Sequence, residues 1–100
     1  MPAQTKTQII AEIDAYMQSV GGQNKNWYVG IASEPRKRLF EDHNVSEKTG
    51  RYIARQALSE QAARDIEAAY HKIGCDGGPG GGDKNTVWVY SYFKMPQTNP

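Results

Sequence analysis

Between residues 7 and 20 the apolar side chains Ile9, Ile10, Ile13, Tyr16, Met17 and Val20 recur at spacings of three and four. That period puts them on one face and predicts a helix over about residues 6–20. Gly21-Gly22 ends it, because glycine just past a helix takes a positive φ with no Cβ penalty. Residues 26–32 contain Trp27, Tyr28, Val29, Gly30 and Ile31, a run too short for a helix and rich in aromatic and β-branched types, so a strand follows. A second helix should begin at once. Ser33 is suited to cap it, Glu34 suits its first turn, Pro35 loses nothing there by lacking an N–H, and Leu39 and Phe40 form an inward face.

Residues 44–50 are polar and read as a loop, and 51–54 as a short strand. Ser59 is the next cap, and Ala62, Ala63, Ile66, Ala69, Tyr70 and Ile73 mark the buried stripe of a third helix that ends at Gly74. Six glycines in residues 74–83 exclude regular structure there. Residues 86–93 alternate, with Val87, Val89, Ser91 and Phe93 on one face and Trp88, Tyr90 and Tyr92 on the other, as a strand requires. After Met95, two prolines mark a tail. The expectation is an α+β domain over residues 1–95, with three helices on a small, mainly antiparallel sheet of two or three strands, and a flexible tail at 96–100.

One hundred residues leave room for one core. The single cysteine, Cys75, excludes an intrachain disulfide and a cysteine-based zinc cluster, which favours a reducing compartment. Glu12 and Asp14 interrupt the only segment that resembles a signal peptide, and no run approaches the ~20 apolar residues of a membrane span. A cytoplasmic location without membrane contact is expected. With 12 basic and 11 acidic residues the net charge is +1, so nucleic-acid binding would have to come from local clusters. The clearest is Arg36-Lys37-Arg38, with Lys48, Arg51 and Arg55 beyond it; interleaved acids make a solvated, salt-bridged surface the alternative.

Tyr28-Val29-Gly30, then Pro35, Arg38-Leu39 and His43, form an ordered set that resembles the YIG half of the GIY-YIG nuclease family. In that family a strand ending in tyrosine, a small aliphatic residue and glycine leads into a helix that carries an arginine. Ala63-Arg64-Asp65-Ile66-Glu67 is similar to the segment where the family holds a metal-binding glutamate, so the likeness spans about residues 27–73. The GIY strand, which should precede Tyr28 by roughly ten residues, is replaced by the first helix and Gly21-Gly22-Gln23-Asn24. Tyr90 or Tyr92 would supply its tyrosine if the C-terminal strand took its place in the sheet. The family histidine lies four residues beyond the arginine; here Asp42 stands at that position and His43 follows it. Asn85 is the candidate for the asparagine that follows the glutamate.

The resemblance implies metal-assisted hydrolysis of DNA phosphodiesters, with RNA as a second substrate class. Glu67 would hold Mg²⁺ or Mn²⁺, and Arg38 would neutralise charge developing in the transition state. Tyr28, with Tyr90, would position or deprotonate water, and His43 would relay a proton. Arg36, Lys37 and Arg55 would meet the nucleic-acid backbone. Each residue also has a plainer role. Arg38 is four residues from both Glu34 and Asp42, Glu67 is three from Arg64, and helix-surface ion pairs would explain both. Tyr28 would be a core aromatic and Gly30 a close-packing position. The glycine run lacks the lysine-serine or lysine-threonine ending of a nucleotide-binding loop and follows a helix, so it reads as a connection, with Asp76 and Asp83 as candidate cation ligands. Alternative functions are a catalytically inactive binding module for nucleic acid or protein, and a helper protein that dimerises through its first helix. A lone nuclease core would also draw specificity from a protein partner.

Overall fold

Thr5 sets the start of the first helix: its hydroxyl accepts the Gln8 backbone N–H, and the Gln8 side chain accepts the Thr5 N–H in return. In the computed structural model, which describes residues 2–78 and 84–100, helix α1 runs Lys6–Val20 and ends at Gly21, whose φ is +102°. Strand β1 (Trp27–Ala32) follows a single 3₁₀ turn. Helix α2 (Pro35–Lys37) continues into a π-helical turn, Arg38–Asp42. Strand β2 (Tyr52–Gln56), helix α3 (Glu60–Lys72) and strand β3 (Trp88–Phe93) complete the order. Ser59 caps α3 by accepting the Ala62 N–H.

The sheet has the order β1-β3-β2 and is antiparallel throughout, as the expected α+β class requires. The C-terminal strand is therefore central. It sets Tyr90 opposite Gly30 and Tyr92 opposite Tyr28 on one side, and Ala54 and Tyr52 on the other. One face of the sheet packs Trp27, Val29, Ile31, Ile53 and Val89 against Ile9 and Ile13 of α1 and Ala63, Ile66 and Tyr70 of α3. Full burial of each isoleucine contributes about 1.5–3 kcal/mol. The other face carries Tyr28, Tyr90 and Tyr92 under Leu39 and Val45. No helix among the described residues is long and apolar enough to cross a membrane.

Three local expectations are revised. Ser33 is exposed and does not cap α2; the cap position falls on Glu34, with no side-chain bond. Ala69 and Ile73 leave the buried stripe of α3, since the helix closes at Lys72 and Ile73 is turned outward, 56% exposed. Residues 96–100, expected as a loose tail, fold back instead: Asn99 N–H donates to the His43 carbonyl at 2.7 Å, Asn44 Nδ2 to Gln97 O at 3.0 Å, and Thr98 is buried. The glycine-rich connection lies partly outside the described residues, and Asp83 with it. Asp76, the other candidate cation ligand, is engaged by Lys94 at 3.1 Å and by the Gly77 N–H.

Candidate active site

Gly30 is where β1 admits a neighbour. A Cβ on it would lie 2.6 Å from the Tyr90 hydroxyl oxygen and 2.7 Å from Cζ, so only glycine lets the Tyr90 side chain cross β1 at this height. Tyr28 stacks on Tyr92, with ring centroids 5.1 Å apart, and lies 4.5 Å from the His43 ring.

The π-helical turn explains the odd spacing of His43. His43 N–H bonds the Arg38 carbonyl at 2.8 Å, a five-residue step, so one extra residue is accommodated in the turn. His43 is thereby aligned with Arg38 as the fourth residue of an α-helical turn would be. Asn44, at φ +56°, ends the turn in the left-handed region, and Val45 N–H closes it on Leu39 O. Inside, His43 is 4% exposed and its two ring nitrogens have different partners. Nδ1 is 2.7 Å from the Asn99 carbonyl, which can only accept, so Nδ1 carries the proton and Nε2 accepts the Tyr90 O–H at 2.7 Å. The tail thus fixes the tautomer.

Helix α3 is docked against the free edge of β1. His71 Nε2 donates to Val29 O at 2.8 Å, and Asp76 completes a parallel bridge to Tyr28. Gly77 leaves space for that imidazole, because a Cβ there would sit 1.9 Å from Nε2. Glu67, one helical turn before His71, is carried along the strand towards Ile31 and Ala32. There it lines an open cavity of about 330 Å³ together with Tyr28, Gly30, Lys37, Arg38, Asp42 and Tyr90.

The cavity joins residues from β1, α2, α3 and β3. Burial raises the pKa of Tyr28 despite the opposing Arg38 charge, and burial and neighbouring Tyr28 raise that of Tyr90, so both are phenols near neutrality. Their side chains interact with each other and with Arg38. Burial pulls the Arg38 guanidinium down, but Tyr90, Asp42 and Tyr28 together hold it above its usual value. The expected helix-surface pairing of Arg38 exists in part, as a 3.5 Å contact with Asp42. Glu67 behaves otherwise. Arg64 turns back to Glu60 at 2.7 Å, and Glu67 is in no ion pair among the described residues. Burial raises its pKa, with only partial relief from His71 and Arg64.

A half-buried carboxylate without a paired cation, facing a cavity, fits a divalent ion held by one carboxylate plus water and substrate oxygens. No group of three or more acidic, histidine or cysteine side chains that could hold a metal exists among the described residues; of the three carboxylates that line the cavity, Glu34 is exposed, Asp42 contacts Arg38, and Glu67 is the half-buried one. Tyr92 is fully buried beneath Tyr28 and does not line the cavity, which leaves Tyr90 as the second tyrosine. Asn85 is exposed and lies outside the lining.

The basic cluster divides. Arg55 is tied to Glu12 at 2.6 Å and to Ala54 O at 2.8 Å and does not line the cavity. Arg36 pairs with Glu47 and lies over the Phe40 ring at 5.1 Å. Lys37 is in no ion pair among the described residues and lines the cavity.

Burial holds the His43 imidazole below its usual 6.5, despite the Asn99 carbonyl. The folded protein then carries a neutral ring while the unfolded chain takes up a proton as pH falls through 6.5. Its stability contribution is complete above that value and is lost as pH drops towards the folded-state pKa. The urea midpoint is expected to fall between about pH 7 and about pH 5, and His43→Gln to reduce that fall. An unchanged fall in His43→Gln would contradict the assignment.

Comparisons with protein-family models, with curated proteins and with solved structures find no match to this chain.

Proposed function

We propose that the protein is a small metal-dependent endonuclease of GIY-YIG-like design that hydrolyses DNA phosphodiester bonds. One observation carries this reading: Tyr28, Arg38, Tyr90 and Glu67, drawn from four separate elements, line one open cavity. Surface ion pairing would not require that convergence.

The scissile phosphate sits against Arg38, whose fixed charge and planar fork suit the extra negative charge of the transition state. Lys37 holds the adjoining backbone as a point charge. Glu67 would hold the divalent ion, which when bound would supply Lewis-acid stabilisation of negative charge at the scissile phosphate. Tyr28 faces the attacking water. As the water oxygen bonds to phosphorus and the ester P–O bond breaks, the water proton passes to Tyr28. The Tyr28 proton moves to Tyr90, and the Tyr90 proton to His43 Nε2, which already accepts that hydrogen bond at 2.7 Å. The leaving alkoxide takes a proton from solvent water and His43 returns its proton through the same relay to solvent, so that the products are a phosphate monoester and an alcohol. The buried, neutral imidazole is the end of the relay and Asn99 its support.

The test is incubation of wild-type protein with end-labelled single-stranded, duplex and branched DNA in Mg²⁺ or Mn²⁺. Cleavage that chelation abolishes is expected. Binding with no cleavage in either metal would reject hydrolysis and favour an inactive binding module.

A further inference from the structure

Beside the candidate active site lies a second and larger cavity, of about 650 Å³, whose residues, Lys37 apart, have no part in the chemistry above. Its floor is the Trp88 side chain at the start of β3 and Ala54 of β2; its wall is Pro35, Arg36 and Lys37 of α2. Trp88 lies in register opposite Ala32, and that small side chain leaves the half-buried indole room for a partner. Glu34 and Lys37 line both cavities, so the two are adjacent. Trp88 projects from the same sheet face as Tyr90, two residues along the strand, or about 7 Å, which one nucleotide spans.

The lining is informative about the occupant. Two carboxylates, Glu34 and Glu41, and two cations, Arg36 and Lys37, line it together with the indole. A phosphate would be repelled by the carboxylates. A nucleobase would stack on the indole and offer exocyclic amino groups to them, while its backbone stayed against Lys37.

We propose that this cavity takes one unpaired nucleobase next to the scissile phosphate, which makes single-stranded or frayed DNA or RNA the substrate class. The inference rests on the nuclease reading for its phosphate neighbour. A base within a continuous duplex is already stacked on both faces and is not available to Trp88.

The chain reports on this site directly. Of its two tryptophans, Trp27 is 1% exposed in the core, whereas Trp88 lies in the cavity. Tryptophan emission would be followed in chelator, so that nothing is cut, during titration with oligo-dC, oligo-C and a blunt duplex of equal length. Saturable quenching by either single strand and little by the duplex is expected. Trp88→Ala should weaken single-strand binding, read by anisotropy of a labelled oligonucleotide, by about 5- to 100-fold, with Trp88→Phe falling between.

Equal quenching by the duplex, no quenching by any of the three, or wild-type affinity in Trp88→Ala would overturn the inference. Because the readout needs neither metal nor turnover, the two proposals fail separately. An inert protein with a quenched Trp88 loses only the hydrolysis, and a cutting protein with a silent Trp88 loses only the base site.

Discussion

Glu67→Gln is expected to lower metal-dependent cleavage by about 1,000-fold, since a bound metal contributes several kcal/mol to the transition state and each 1.36 kcal/mol is a factor of ten. The amide keeps the shape of the side chain and removes the charge that would hold the ion. Folding should not suffer. Burial already disfavours the ionised Glu67 carboxylate, and no ion pair among the described residues compensates for it. A neutral amide removes that cost, so the thermal midpoint should equal or exceed that of wild type while activity collapses. A carboxylate with only a structural role would produce the opposite pair of results. Single-turnover cleavage and a thermal melt of the same preparation separate the two.

Arg38→Ala should cost about 100- to 1,000-fold in the cleavage step, the range for removal of one preorganised donor from developing negative charge. Arg38→Lys should recover little of it, because a lysine lacks the planar fork. The change also reaches the phenols. Arg38 lowers the pKa of both Tyr28 and Tyr90, so removing it should drive them further above 10 and displace the rate profile to higher pH. An unchanged profile would separate Arg38 from the two tyrosines. The expected stability cost is small, as its contact with Asp42 is exposed and 3.5 Å long.

These expectations rest on features the sequence discloses unevenly. The periodicity of Ile9, Ile13 and Met17 and the cap at Ser59 mark α1 and α3 because local patterns alone govern them. The alternation over Trp88 to Phe93 likewise separates the two faces of β3. Chain order conceals that this last strand is central. That arrangement is set by long-range pairing with both β1 and β2, and it brings Tyr90 beside Tyr28.

Two site residues look misplaced in the sequence for identifiable reasons. His43 stands five residues beyond Arg38, which appears out of step for an α-helix; the π-helical turn takes up the extra residue. Arg55 reads as part of a basic cluster, yet Glu12, 43 residues away, claims it. Tertiary pairing of this kind leaves no local trace. The role of the tail was hidden similarly, since a Pro-containing terminus gives no indication that the Asn99 carbonyl holds His43. Trp88 was legible only as one member of the aromatic face. Its open surroundings come from Ala32 and Ala54, on strands distant in sequence.

In the proposed hydrolysis one cavity couples Glu67 to Arg38, Tyr28 and Tyr90. The most direct measurement of that coupling is single-turnover cleavage of end-labelled single-stranded DNA in Mg²⁺ by wild type and Glu67→Gln, with binding of the same oligonucleotide measured in chelator. Cutting by wild type, about 1,000-fold less by Glu67→Gln, and near-equal binding by both are expected. Equal rates in the two proteins, or no cutting by wild type in Mg²⁺ or Mn²⁺, would contradict the coupling.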